Sequence, residues 1–372
     1  MSEAGAFHYL NHAGTSFPKP ESVGEAVSKA LRASPTEHAR LYDSAFSKVK
    51  SEFRAAGKGD PFRVVVTSGC TAGLALALGD VPWQAGDFLL TSSYEHHALD
   101  RVAQSLELSR DIVRLSLEPS EHELLDLARL ESLLDSKPVR LVALTHTSNV
   151  TGERLPLAEI AKLTRRSGAA LLVDAAQTFG TSLFDEAVRS ADIIVCAGHK
   201  SALGPQGIGV LAARASFSFQ VPGAACELGE KACGSFPGFC DAGSVNLAAL
   251  AGLAEGLSWS REAGRGALLE KAQAFAARLR RFVHQSSRFE LLGAQEHDGL
   301  PTVSLISRGQ SLSELAAFLQ ERGVWARAGT HCAPAALSTL GHADGCLRLS
   351  FGPMSTEKDL LAAEAALSQF EK

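Results

Sequence analysis

Between about residue 60 and residue 215, short β-branched runs alternate with stretches of helical periodicity, and this alternation limits the fold more than any other feature. The runs at 63–67, 88–91, 139–145, 170–173, 193–195 and 208–211 are apolar at successive positions, so each must be buried on both faces. Helical patterns fill the gaps at 71–78, 97–106, 127–134 and 155–166. The pattern predicts an α/β domain with a mainly parallel sheet covered by helices, binding its ligands at the carboxyl ends of the strands. A Gly/Pro-rich stretch at 222–243 breaks the rhythm. Helices at 246–263 and 267–285 follow, then a strand at 302–306, a helix at 312–322, a strand at 347–351 and a helix at 355–369 with Ser355 as its N-cap. The expected organisation is a large domain over 17–260 and a small α+β domain built from 1–16 and 261–372.

Composition excludes several classes of function. Hydrophobic residues make up 45% and charged residues 21% of the 372 positions, as in ordinary soluble domains. A formal charge of −5 gives no basic field for nucleic acid. The opening Met1-Ser2-Glu3-Ala4-Gly5 has no secretory pattern, and no window approaches the roughly 20 apolar residues of a membrane span. The expectation is a cytoplasmic protein that binds neither nucleic acid nor membrane. The odd count of seven cysteines points to reduced thiols rather than a disulfide framework. No CxxC occurs, and no metal site is expected. Cys226, Cys233 and Cys240 recur every seven residues, but in the Gly/Pro-rich segment, where they read as unrelated loop residues.

Lys200 carries the strongest chemical signal. In Cys196-Ala197-Gly198-His199-Lys200 it follows the apolar run that ends at Val195, where burial lowers an amine's pKa and makes it a usable nucleophile. Upstream, Leu171-Leu172-Val173-Asp174 puts a carboxylate at the end of another apolar strand. Singly, these would be a surface lysine and a helix-capping aspartate. Together they suit pyridoxal phosphate: the lysine holds the aldehyde as a Schiff base, and the carboxylate keeps the pyridinium nitrogen protonated.

Other strand ends deliver polar residues to the same rim. Thr67-Ser68-Gly69-Cys70-Thr71 lies where a strand turns into a helix, as a phosphate cradle does, although Ser-Gly-x-Thr is also a common N-cap. Glu95-His96-His97 follows the next strand, where a histidine can stack on a flat ring and move protons. Asn149, in Thr147-Ser148-Asn149-Val150-Thr151-Gly152, ends another.

These motifs together resemble the class V, fold type I pyridoxal phosphate enzymes, and among them the cysteine desulfurases and selenocysteine lyases. The resemblance runs from Leu10-Asn11-His12-Ala13-Gly14-Thr15-Ser16-Phe17-Pro18-Lys19-Pro20 to Arg348-Leu349-Ser350-Phe351-Gly352, in the family's order. It implies a seven-stranded sheet in the large domain. It also implies that Lys200 binds the cofactor, Asp174 pairs with its ring nitrogen, Gln177 bonds its ring oxygen and His96 stacks on the ring. Thr71 and His199 would hold the phosphate, with Cys70 beside them, while Asn149 and Arg348 would hold the substrate carboxylate and Arg327 would also bind the substrate. Ala326-Arg327-Ala328-Gly329-Thr330-His331-Cys332-Ala333-Pro334 is similar to the compact cysteine loop of the second desulfurase group. There Cys332 would take sulfur from L-cysteine, with His331 and Arg327 favouring its thiolate.

Three motifs depart from the family pattern. Ala197 stands where a Ser or Thr precedes Gly-His-Lys, Cys70 replaces a Thr, and Ala242-Gly243-Ser244-Val245-Asn246 replaces Ala-Gly-Thr-Pro-Asn. In the family that last hydroxyl reaches the partner subunit's cofactor phosphate, a role open to Ser244 in a homodimer. The implied function is a cysteine desulfurase that forms L-alanine and a persulfide on Cys332, then passes the sulfur to an acceptor protein. The alternatives are a C–S or selenocysteine lyase and a class V aminotransferase.

Overall fold

A computed structural model describes residues 7–54, 61–120, 124–214 and 245–370. The chain divides into two compact units: a large one, Lys19–His146 with Leu155–Glu262, and a small one, Met1–Pro18 with Thr147–Arg154 and Ala263–Lys372. In chain order the strands are β1 His8–Tyr9, β2 Phe62–Thr67, β3 Phe88–Ser92, β4 Val113–Leu117, β5 Val139–Thr145, β6 Ala170–Asp174, β7 Ile193–Ala197, β8 Gly209–Arg214, β9 Phe289–Leu292, β10 Thr302–Ser307, β11 Val324–Trp325, β12 Arg327–Gly329 and β13 Cys346–Ser350. No helix among the described residues is long and apolar enough to cross a membrane.

The large unit holds a seven-stranded sheet in the order β2-β8-β7-β6-β5-β3-β4. β4, β3, β5, β6 and β7 pair in parallel, and β8 runs antiparallel to both β7 and β2. This is the α/β, fold type I architecture expected above. Alternate side chains of one strand enter different cores. Val142, Leu144, Leu171, Val173 and Ile194 join the cluster on one face, and Leu141, Ala143, Leu172, Ile193 and Val195 join that on the other. Helices Cys70–Gly79 and His97–Ser109 supply the second cluster. Helices Leu127–Ser136, Leu157–Ser167 and Leu247–Glu262 supply the first. The period-2 pleat therefore explains why these strands read as unbroken apolar runs.

Because β2 and β7 both oppose β8, the carboxyl ends of β2, β3, β5, β6 and β7 share one edge. Thr67, Ser92, Thr145, Asp174 and Ala197 end these strands, and the motif residues follow directly.

The small unit has a four-stranded antiparallel sheet, β12-β13-β10-β9, and a parallel pair in which His8 of β1 faces Val324 of β11. Helices Arg265–Gln285, Leu312–Glu321 and Glu357–Phe370 pack on it through Leu279, Leu315, Leu319, Leu360 and Leu367. The last helix starts at Glu357, one residue later than the capping role given to Ser355 requires. Ser355 is instead buried, its Oγ accepting from the Gly352 N–H at 2.9 Å. The Asp359 carboxylate takes the Thr356 N–H and Oγ1–H at the true start of the helix.

Candidate active site

In the large unit, Lys200 lies three residues beyond β7 on a loop whose main chain is fixed. Gly198 N–H donates to the Ile208 carbonyl (3.0 Å), Leu203 N–H to the Lys200 carbonyl (3.0 Å) and Gly204 N–H to the Gly198 carbonyl (2.8 Å). Ser201 Oγ straps the loop to the Gln177 carbonyl at 2.7 Å. Gly180, at φ 92, approaches so closely that a Cβ would stand 2.6 Å from Ala202 Cα. Leu203 is held at φ 62, a conformation that costs a non-glycine residue about 1 kcal/mol. The lysine is thus carried by a rigid turn.

Next to it, His199 accepts from the Lys19 ammonium through its carbonyl at 3.2 Å. Burial, with Lys200 and Lys19 nearby, depresses the His199 ring pKa to about 4, so at neutral pH it is a neutral hydrogen-bonding group. Burial also lowers Lys19 to about 8.

Asp174 ends β6 and is 4% exposed. Its Oδ1 accepts from the Ala176 N–H at 2.9 Å and from Cys70 Sγ at 3.4 Å. Its Oδ2 takes no donor from the described residues. Burial raises the pKa of this carboxyl, and Lys200 offsets only part of the rise. Such a group is stabilised by a ligand that offers a cationic N–H. Gln177 is buried three residues further on. Cys70 and Thr71 open the helix Cys70–Gly79 at the end of β2, with Thr71 exposed and Cys70 turned to Asp174. Gly209 permits this closeness, since a Cβ there would meet Gly69 C at 2.5 Å and Cys70 N at 2.8 Å.

His96 is the N-cap of the helix His97–Ser109, its Nδ1 accepting from the Ala98 N–H at 3.0 Å. The neutral ring therefore carries its proton on Nε2. Its neighbour Glu95, which sequence reasoning gave no role, is 2% exposed. It joins the ends of two strands, accepting from Ser92 Oγ and from the Thr145 N–H at 2.8 Å. Burial lifts its pKa to about 8, and the charge of Asp174 adds to the rise. The signal available in the sequence was a carboxylate three residues after a buried strand.

A measurable consequence follows from the raised Glu95 pKa. Between pH 4.5 and about 8 the folded chain holds a proton that the unfolded chain releases, so this contribution to stability is full below pH 4.5 and is lost as pH rises through 8. Glu95→Gln mimics the neutral acid: its Oε1 can accept from the Thr145 N–H while its Nε2 donates to Ser92 Oγ. Urea midpoints should show the variant more stable than the wild type at pH 9, with the gap closing toward pH 5. A gap independent of pH would refute the assignment.

In the small unit, Arg348 lies in β13 at 1% exposure. It donates through Nη1 to the Asn149 carbonyl (2.6 Å) and through Nη2 to Asn11 Oδ1 (3.1 Å). Nε is buried without a partner, and no carboxylate among the described residues pairs with the guanidinium. Burial lowers its pKa to about 10. Asn149 Nδ2 donates to the His331 carbonyl at 2.8 Å, while its Oδ1 is buried and unpartnered. A buried cation that lacks a counter-charge suits a carboxylate ligand. Asn11, quoted above without a role, is thus a support of this arginine.

Cys332 follows in a tight turn closed by Ala333 N–H on the Thr330 carbonyl at 2.9 Å. Both His331 (φ 51) and Cys332 (φ 57) adopt the left-handed region, at a cost of about 1 kcal/mol each. Cys332 is half-buried, and Arg327 Nη2 donates to its Sγ at 3.6 Å. His331 does not act as expected from the sequence. It is 2% exposed, its Nε2 bonds the Cys346 carbonyl at 3.0 Å, and its pKa is pushed down to about 3 by burial and by Arg348. A neutral imidazole turned away in this manner brings no positive charge to the thiol, and Arg327 is the basic side chain in contact with Sγ. Ser244, Cys226, Cys233 and Cys240 lie outside the described residues.

The aminotransferase class V family model matches residues 8–362. The chain is 30% identical to the cysteine desulfurase of Dickeya dadantii, over 88% of its length and 80% of that protein. Among solved structures, the apo cysteine desulfurase of Thermococcus onnurineus NA1 superposes with a TM-score of 0.88 at 25% identity, covering 98% of this chain and 94% of that one. The Escherichia coli cysteine desulfurase CsdA, solved in an S-sulfonic acid form, gives 0.83 at 26% identity, covering 99% and 95%.

Proposed function

This chain belongs to the class V aminotransferase family, and from that premise we propose that it is a pyridoxal phosphate-dependent cysteine desulfurase, converting L-cysteine to L-alanine and leaving the sulfur on Cys332. One observation carries the reading: Arg348, a buried arginine with no carboxylate partner among the described residues, is held by Asn149, which also ties down the backbone of the Cys332 turn. A family member that only moved amino groups would need the arginine but not the cysteine.

The residues fit the cofactor. Asp174 Oδ2 would accept its ring N–H, and the Gln177 amide would donate to its ring oxygen. The exposed Thr71 hydroxyl, the free N–H groups of its helix start and the neutral His199 would hold the phosphate. Lys200 would hold the cofactor covalently. When bound, the ring supplies an electron sink for negative charge at the substrate Cα.

The chain's own groups do the rest. Arg348 and Asn149 bind the carboxylate of L-cysteine. Lys200, once displaced from the cofactor, takes the Cα proton as a general base. His96 gives or takes a proton through Nε2, since Nδ1 is committed to the helix cap. The Cys332 thiolate attacks the substrate sulfur, and the Cβ–S bond breaks with its electron pair moving to carbon. Protonation of carbon then releases alanine, while the two sulfurs remain joined as a persulfide. Arg327 supports the thiolate.

We place this enzyme in the cytoplasm, where the free thiols of Cys70, Cys196, Cys332 and Cys346 stay reduced. We read it as a homodimer in which Ser244 reaches the partner's cofactor phosphate, which Ala197 cannot serve, and as a sulfur donor to an acceptor protein. Sedimentation should show a dimer, and a fully active monomer would refute that. The reaction is tested by incubating the protein with L-cysteine and assaying alanine, sulfide and pyruvate together. Alanine without pyruvate supports desulfuration. Pyruvate with sulfide and ammonia overturns it in favour of a C–S lyase.

A further inference from the structure

Cys70 starts the helix that follows β2, yet its side chain reaches the carboxylate at the end of β6. Asp174 takes two hydrogen bonds within the described residues, from Ala176 N–H and from Cys70 Sγ, and both fall on Oδ1. A carboxylate anchored twice through one oxygen cannot turn about its Cβ–Cγ bond, so the other oxygen has a fixed direction. We infer that Cys70 is a positioning residue whose S–H holds Asp174 Oδ1 so that Oδ2 is presented to the ring nitrogen of the cofactor. The inference rests on the pyridoxal phosphate reading above.

A thiol suits this task because it is a weak donor. It orients the carboxylate without neutralising it as a cation would, and leaves Oδ2 basic enough to keep a pyridinium protonated. Burial and the charge of Asp174 push the Cys70 pKa well up, which keeps the proton on sulfur and the group a donor. The same conditions exclude Cys70 as a sulfur nucleophile and separate its role from that of Cys332. The contact also links the helix start assigned to the phosphate with the carboxylate assigned to the ring, so one side chain ties the two ends of the cofactor's seat together.

Two measurements test this. In the apoprotein, the infrared S–H stretch that disappears in Cys70→Ala should shift to higher frequency in Asp174→Asn, whose amide oxygen is the poorer acceptor. In titrations with pyridoxal phosphate, Cys70→Ala should bind about fivefold more weakly, equivalent to about 1 kcal/mol, and Cys70→Ser should stay within about twofold of the wild type. A purely structural cysteine would lower the melting temperature of the apoprotein and leave cofactor affinity unmoved. An S–H band that ignores Asp174→Asn, or a Cys70→Ala variant that binds like the wild type, overturns the inference alone. A wild type that does not bind pyridoxal phosphate overturns the cofactor reading and the inference with it. Should Cys70→Ala fail to fold, Cys70→Ser identifies the same S–H band by its loss, and the infrared comparison of wild type with Asp174→Asn decides the matter.

Discussion

Lys200→Ala is expected to lower turnover of L-cysteine by at least about 10⁴-fold while the protein still binds pyridoxal phosphate noncovalently. The loss is large because the substitution removes two functions together, the covalent hold on the cofactor and the base for the Cα proton. The fold should survive it. Lys200 is half-buried, and the turn that carries it is held by main-chain bonds at Gly198, Leu203 and Gly204 that do not involve the amine. Borohydride reduction followed by peptide mass spectrometry should place the cofactor on Lys200 in the wild type and nowhere in the variant. Added methylamine should restore a small part of the rate, as expected when a missing general base is replaced from solution. A colourless wild type that stays unmodified after treatment with cofactor and borohydride would remove the basis of the whole assignment.

The residues behind that expectation were legible because their strands were. β5, β6 and β7 are buried on both faces, so their apolar runs are unbroken, and a polar residue at the end of such a run stands out. Asp174 and Lys200 were found in this way. β4 escaped because it is the edge strand of its sheet, half exposed, and Arg114 and Ser116 interrupt its pattern. The helices Glu21–Arg32 and His38–Ser51 were not read from the sequence, although both are amphipathic; each buries only two residues, Val23 and Ala30 in the first and Ala45 and Val49 in the second. Within the site, residue type was readable but protonation was not. His331 looked like a cation beside a thiol, but burial and the neighbouring Arg348, neither of which shows in the local sequence, make it neutral. Cys70 likewise belonged to a phosphate motif by position, while its contact with Asp174 depends on the pairing of β2 and β6 with their neighbours across the sheet.

Cys332→Ala should reduce alanine formation from L-cysteine by at least about 10³-fold, the scale on which removing a nucleophile acts in other enzymes, and leave cofactor binding intact. The physical reason is local. The left-handed backbone at His331 and Cys332 is a conformation that the chain maintains at an energetic cost, and the Arg327 guanidinium donates directly to Sγ. A buried structural cysteine needs neither. Brief exposure of the wild type to L-cysteine should add one sulfur to the peptide that contains Cys332, and a reductant should remove it. Arg327→Met should slow that addition several-fold without changing where the sulfur goes, since it removes the guanidinium that donates to Sγ but keeps the nucleophile. Selenocysteine offers a sharper comparison: its weaker carbon–selenium bond needs less help from a nucleophile, so Cys332→Ala should retain far more activity on it than on L-cysteine. If the added sulfur maps to Cys226, Cys233 or Cys240, or if Cys332→Ala keeps full activity on L-cysteine, the thiol of Cys332 is not the acceptor. The β-elimination chemistry of a C–S lyase then accounts better for a chain that retains Lys200, Asp174 and Arg348.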